Sequence, residues 1–375
     1  AIAQCLVGSE MCIRDRFMDD TVDMIEEMPS NVVKRILRNV NDKDRKIINE
    51  ILNYPDDCAG SIMTTEFIDL KENMTVSQAF DKIKKIGLKK ETVYNCYVLD
   101  QNRKLLGVID IKDLLIADRD EVIKDLMDEN VVTVNTLDDK EDVANTLAKY
   151  DYVALPVVDK ENRLVGIVTV DDAIDVIQDE ASEDFEKMAA ISPNEDGYYK
   201  TSVLTHAKNR IVWLLFLMFS SIITGAVITH YEEAFAALPI LVSFIPMIMG
   251  TGGNCGSQSS TLVIRGLAVD EIKAKDFLKV WWKEIRVALI VGVIMALVNC
   301  IRILIQYHDL QLGIVVGLTL VITIAIAKSL GSMLPLICKK LKLDPAIMAA
   351  PLISTILDTC SVLVFFNVAV MIMGL

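Results

Sequence analysis

The sequence predicts a multi-domain chain: a cytoplasmic tandem α+β pair, then an all-α membrane domain of five transmembrane helices, with a partial helical N-domain in front. Three observations predict this layout. Charge and apolarity are segregated along the 375 residues. A pattern of about 60 residues occurs twice in the polar half. Five apolar windows in the other half are each long enough to cross a bilayer. The chain is 52% hydrophobic, with mean hydropathy +0.39, yet it holds 52 acidic against 38 basic residues. Residues 208–375 carry 13 Lys/Arg and 9 Asp/Glu and are near +4, which leaves residues 1–207 near −18. The acidic half lacks the basic face that a nucleic-acid partner needs, so no nucleic acid is expected.

The start, Ala1–Arg16, has no basic stretch leading into a sustained apolar run, so no signal peptide is expected. It matches no downstream periodicity and reads as a non-native or disordered start. Residues 17–57 read as the partial helical N-domain, with two amphipathic helices between Val22 and Tyr54. The eight cysteines (Cys5, Cys12, Cys58, Cys96, Cys255, Cys300, Cys338 and Cys360) form no C-x-x-C pair. They are expected to be reduced, buried small residues.

The repeat occupies residues 58–118 and 119–180. Its first copy reads Ser61-Ile-Met-Thr-Thr, Asn73-Met-Thr-Val-Ser-Gln-Ala-Phe, Tyr97-Val-Leu-Asp and Leu106-Gly-Val-Ile-Asp-Ile-Lys-Asp-Leu. Its second reads Asp125-Leu-Met-Asp, Asp142-Val-Ala-Asn-Thr-Leu, Leu155-Pro-Val-Val-Asp and Val165-Gly-Ile-Val-Thr-Val-Asp-Asp-Ala. β-branched runs alternate with amphipathic stretches, and Asp100–Gly107 and Asp159–Gly166 read as matching hairpin turns. Thr169-x-x-Asp172 falls where a strand enters a helix, so an N-cap role alone would explain it. In order and content these segments resemble a pair of cystathionine-β-synthase-type (CBS) modules. The resemblance implies a sensor of adenine nucleotides or ions, with ATP as the nucleotide and Thr169 and Asp172 as its contacts. The first copy has Asp110-x-x-Asp113 at the equivalent place.

Residues 181–207 read as an acidic connector. From Asp171 to Asp196 the chain carries Asp171, Asp172, Asp175, Asp179, Glu180, Glu183, Asp184, Glu186, Glu195 and Asp196 against Lys187. Ala173, Ile174, Ile177, Phe185, Met188 and Ala189 form an apolar stripe at helical spacing. A solvated acidic helix is one reading. The other is a two-state element, because crowded carboxylates repel and a hard divalent cation relieves that repulsion.

In residues 208–375 the apolar windows run over Ile211–His230, Leu238–Thr261, Val287–Ile305, Leu312–Ile337 and Ala346–Met373. Lys208 and Arg210 precede the first window, and Glu232 and Glu233 follow it. Arg265, Lys273, Lys275, Lys279, Lys283 and Arg286 lie between the second and third. His308 and Asp309 follow the third, and Lys339, Lys340 and Lys342 the fourth. The positive-inside rule then places the N-terminus in the cytoplasm and the C-terminus outside, in the plasma membrane. Trp281 and Trp282 fall where an interfacial anchor or a membrane-surface helix is expected.

Asp358 reads as the only acidic residue deep within a window. It lies 14 residues after Asp344, roughly 21 Å at the helical rise. A carboxylate there must face water, a cation or a partner, and Lys328 is the candidate partner. Ser354 sits one turn earlier, with Thr355 and Thr359 completing a polar stripe, while Pro345 and Pro351 loosen the helix. Window two holds Gly250-Thr-Gly-Gly-Asn-Cys-Gly-Ser-Gln-Ser-Ser-Thr261. Such a run either packs tightly on another helix or lines an aqueous pathway, and its polar density favours the pathway.

That run, with Leu343-Asp-Pro-Ala and Pro351-Leu-Ile-Ser-Thr-Ile-Leu-Asp358, resembles the MgtE family of magnesium channels. The resemblance extends over about residues 30–375 and implies a homodimer in the lipid bilayer, with a Mg2+ pore between windows two and five. Asp358, Ser354 and Asn254 would line that pore. The connector would be a plug, with Asp171, Asp172, Asp175, Glu180, Glu183, Asp184 and Asp344 as the Mg2+-sensing carboxylates. The family's N-domain is longer than the one here. An ion-coupled secondary transporter of divalent metals and a membrane-anchored sensor without transport are the alternatives. No enzyme is expected, because His206, His230 and His308 are dispersed and no nucleophile–base pair is visible.

Overall fold

A computed structural model describes residues 17–26, 28–194, 197–232, 236, 238–269, 271–348 and 350–374. The start Ala1–Arg16, with Cys5 and Cys12, lies outside the described residues, as do Glu195, Asp196 and Glu233. The chain divides into two compact units, Ala1–Glu180 and Ala181–Leu375.

Among the described residues three helices, not two, precede the repeat in the first unit: α1 (Met18–Glu26), α2 (Ser30–Asn39) and α3 (Asp42–Ile51). Local chemistry punctuates what periodicity alone reads as continuous. Pro29 lacks the N–H that a helix interior needs and stands as the N-cap of α2. Asn41 accepts the Asp44 N–H at 2.9 Å and starts α3. Val22, Ile25, Ile36, Ile48 and Ile51 form their shared core.

The repeat forms two three-stranded sheets of the same design. β1 (Ile68–Lys71), α4 (Val76–Ile86), β2 (Asn95–Leu99), β3 (Leu105–Asp110) and α5 (Ile111–Ile116) make the first module. After the short α6 (Ile123–Leu126) come β4 (Val134–Asn135), α7 (Lys140–Tyr150), β5 (Ala154–Val158), β6 (Leu164–Thr169) and α8 (Val170–Met188). In each sheet the first two strands are parallel, because a helix crosses over between them, and the last two form an antiparallel hairpin. Both hairpins turn by one device. Asp100 Oδ1 accepts the N–H groups of Asn102 (2.7 Å) and Lys104 (2.8 Å), and Asp159 Oδ1 those of Glu161 (2.8 Å) and Arg163 (2.9 Å). The turns then bond to each other, Leu105 N–H to Asn162 O and Leu164 N–H to Arg103 O.

The last helix of the repeat runs on into the connector as far as Met188 as one helix, α8, so the expected connector helix over 181–207 is confined to its first eight residues before the next helix begins at Val203. The predicted apolar stripe is only partly buried. Of the stripe Ala173 is covered, whereas Ile174, Ile177 and Phe185 are exposed; the buried neighbour is Val176, outside it. The acidic residues between them keep most of the helix surface in water.

Among the described residues the second unit holds five helices long and apolar enough to cross a membrane. They are α9 (Val203–His230), α10 (Ile245–Ala268, led in by a 3-10 turn over Pro239–Phe244), α11 (Phe277–Tyr307), α12 (Leu310–Lys340) and α13 (Ala350–Met373). α11 starts ten residues before its apolar window and so takes Trp281 to Arg286 into the helix. α12 is the most enclosed, with Leu312, Val315, Val316, Leu320 and Ile324 all buried. α9 presents Val212, Phe216, Phe219 and Ile223 outward, a face suited to lipid.

Candidate functional site

α10 and α13 meet along the glycine-rich run. Gly252, Gly253 and Gly256 are buried, while Gly250, Asn254, Gln258 and Thr261 are exposed. A Cβ on Gly253 would stand 3.2 Å from Ser354 Oγ, and one on Gly252 would stand 2.5 Å from Ser361 Oγ. A Cβ on Gly256 would run into Ile353 and Leu357. The run is therefore divided by face rather than devoted to a pathway. Its glycines let α13 approach, and its amides stay on the open side.

On α13, Ser354 Oγ lies 3.5 Å from Ser257 Oγ of α10. Asp358 follows one turn later and is half-buried; among the described residues no hydrogen-bond or ion-pair partner reaches it. The polar stripe narrows to these two residues. Thr355 donates to Pro351 O at 2.9 Å, and Thr359 shares a 2.7 Å hydrogen bond with Thr224 of α9. The count from Asp344 to Asp358 does not run along one continuous helix. Pro345–Met348 form a 3-10 turn and α13 begins at Ala350, so Asp358 stands only about 12 Å from the helix start.

Lys328 is not the partner of Asp358. Its ammonium lies 3.6 Å from Glu284 of α11 and donates to Ser259 of α10 at 3.2 Å, while Ser259 donates to Glu284 at 2.6 Å. Both charged side chains are nearly closed off, at 6% and 13% exposure, a burial that only mutual compensation makes tolerable. Sequence reading missed Glu284, and Asp358 is not the sole acid within a membrane helix. Lys283 and Arg286 place the stretch in the basic connection between windows two and three, and the signal available was helical spacing from Trp281, whose indole donates to Ser329 beside Lys328 at 3.2 Å.

Of the sensing carboxylates, Asp171 and Asp175 are exposed, and Asp172 and Glu180 are half-buried. In the second unit Glu183 and Asp344 converge on Lys187, which pairs with Glu183 on its own helix and with Asp344 at 2.6 Å. Asp344 also accepts the Ala346 N–H at 2.8 Å. Burial and then the charge of Asp344 push the Asp184 carboxyl above the ordinary range. Burial opposes the charge of Lys187, but its hydrogen bonds to Asp344 and Glu183 win and hold its pKa above the usual lysine value. Among the described residues no three His, Cys, Asp or Glu side chains gather closely enough to hold a metal by themselves.

In the repeat, Thr169 is buried and donates to Asp172 at 2.6 Å, so these two side chains engage each other. A cavity of about 290 Å³ lies instead against the first module's equivalent residues. Asp110, Asp113, Asn95 and Tyr97 line it, with Asp128, Asp151 and Pro156 opposite in sequence.

The divalent cation transporter family MgtE matches residues 245–368, the CBS domain matches residues 59–120 and 123–179, and the MgtE intracellular N domain matches residues 17–57. The magnesium transporter MgtE of Enterococcus faecalis is 40% identical over 326 residues, 87% of this chain and 71% of that protein. That of Bacillus subtilis is 36% identical over 351 residues, 94% of this chain and 77% of that protein. A solved cytosolic domain of the Mg2+ channel MgtE in complex with ATP is 36% identical, with TM-score 0.43, covering 44% of this chain and 68% of that one. With identity of this order over most of its length, five apolar helices and a CBS pair, the chain belongs to the MgtE family of magnesium transporters, which are membrane proteins.

Proposed function

We propose that this protein is a Mg2+ channel that imports the ion down its electrochemical gradient and closes when cytoplasmic Mg2+ is plentiful. The observation that carries the reading is Asp358, which has no partner among the described residues and follows Ser354 by one turn on the helix that meets the glycine-rich run of α10. Mg2+ gives up water reluctantly and favours one or two carboxylates with its hydration retained. Two copies related by a two-fold axis would offer one Asp358 each, a charge that matches the ion without trapping it. Ser354 and Asn254 would hold the ion's waters. An inside-negative potential supplies about 2.3 kcal/mol per charge per 100 mV, so no further energy source is required. The N-terminus is assigned to the cytoplasm on the distribution of basic residues between spans.

Closure is assigned to the connector. Glu183 and Asp184 stand near Asp344 at the start of the fifth span, and a divalent cation there would draw them together. Asp171, Asp172, Asp175 and Glu180 add negative potential along the same helix. ATP is assigned to the cavity at Asp110 and Asp113 rather than to Thr169 and Asp172. Carboxylates suit ribose hydroxyls, and an acid-lined wall would require the phosphates to enter with their own Mg2+.

Replacing Asp358 by Ala is the direct test. Mg2+ uptake in cells lacking other importers should fall to background while the protein still reaches the membrane folded. Undiminished uptake would remove Asp358 from the pathway. Uptake that ignores imposed proton and sodium gradients separates the channel from an ion-coupled transporter.

A further inference from the structure

We infer that Lys187 is a tethered cation of the gate: its ammonium occupies the place beside Glu183 and Asp344 that the regulatory Mg2+ would take, so the connector is held to the fifth span without metal and Mg2+ must displace Lys187. The inference rests on the gating reading above. Glu183 and Lys187 are four residues apart on α8 with the acid N-terminal, the favourable order for a helical pair, so the ammonium is preset by its own helix. Asp344 is preset as well. One of its oxygens is fixed by the Ala346 N–H, which leaves the other for Lys187. Glu183 and Asp344 are joined through Lys187, and the charges acting on the neighbouring Asp184 carboxyl are those of Asp344, Lys187, Glu183 and Lys339. A site so built is already partly neutralised. Mg2+ and the Lys187 ammonium repel each other and cannot share it, so binding of one expels the other.

The consequence is signed. Lys187 keeps part of the population closed at zero Mg2+, and removing its charge should release the connector there while sparing closure by Mg2+. Chymotrypsin cleavage after Phe185, whose side chain is 73% exposed, reads connector release in the full-length protein without depending on the lysine itself. In EDTA, Lys187→Met should be cut about fivefold faster than wild type, the effect of losing a half-exposed pair of charge-assisted hydrogen bonds. Lys187→Arg should be cut like wild type, and saturating Mg2+ should protect all three. Asp344→Asn is the second variant: it should match Lys187→Met in EDTA but lose protection by Mg2+. Equal rates for Lys187→Met and wild type in EDTA, with a wild type that responds to Mg2+, overturn the inference alone. A wild-type rate that ignores Mg2+ overturns the gating reading and the inference with it.

Discussion

Ser257 and Ser259 stand two residues apart on α10, about 200° apart around the helix, and they face different company. Ser259 closes a circuit with Glu284 and Lys328, so three helices share a buried pair whose charges cancel. Ser257 meets Ser354, one turn from an acid with no partner among the described residues. The two sides of one helix thus follow opposite rules. Where charges are compensated they join helices and need no ion. Where a charge is left uncompensated in an apolar setting, a mobile cation or water is the remaining means of stabilising it. The polarity of a membrane helix is therefore not itself a sign of a pathway; the missing partner is.

The largest expected effect breaks the comparison on the Asp358 side. Asp358→Asn keeps the shape and removes the charge, so Mg2+ flux into vesicles should fall to background with an unchanged unfolding temperature. Next comes the Glu284 side, where the effects should be reversed. Glu284→Gln leaves a buried ammonium without its counter-charge and should cost roughly 3 kcal/mol in a detergent unfolding assay. Lys328→Met combined with Glu284→Leu should restore most of that stability and retain flux. If the double variant is stable but cannot transport, the pair belongs to the pathway after all, and the contrast fails. A smaller test uses the glycines. Gly256→Ala should cost about 1–3 kcal/mol, since its methyl would meet Ile353 and Leu357. Gly250→Ala, which meets nothing within 4 Å, should be neutral or gain up to about 1 kcal/mol in helix propensity.

Period and composition made the layout legible. The repeated Asp-turn hairpins, the five apolar windows and the run from Gly250 to Thr261 each carry a local signature that folding does not alter. What sequence could not supply was pairing across space. Lys328 and Asp358 are the natural partners by charge count along the apolar windows, yet Glu284 takes Lys328, because α11 begins well before its apolar window and carries the acid inward. Helix continuity was the second blind spot. Pro345 and Pro351 interrupt the count from Asp344, and Pro29 and Asn41 make three helices where periodicity reads two. The connector's stripe failed for a third reason: apolar spacing shows which residues share a face, and nothing in it supplies a surface to cover Ile174, Ile177 and Phe185.

The same contrast between satisfied and open polar groups recurs in the CBS pair and gives the smallest predicted effects. Thr169 and Asp172 bond to each other at the second module, whereas at the first Asp113 borders the cavity beside Asp110, which accepts from Asn95 at 2.6 Å. Thr169→Val should therefore act on stability, costing about 1 kcal/mol through a lost buried hydrogen bond, and should leave ATP affinity unchanged in a titration of the full-length protein. Asp113→Ala should do the opposite, because Asp113 is exposed and among the described residues its carboxylate makes no hydrogen bond or ion pair. Its loss should weaken ATP binding about tenfold, the equivalent of a charge-assisted hydrogen bond to ribose, with an unchanged unfolding temperature. Were Thr169→Val to weaken ATP and Asp113→Ala to spare it, the nucleotide would have to break the Thr169–Asp172 bond on entry, and the open cavity would have another occupant.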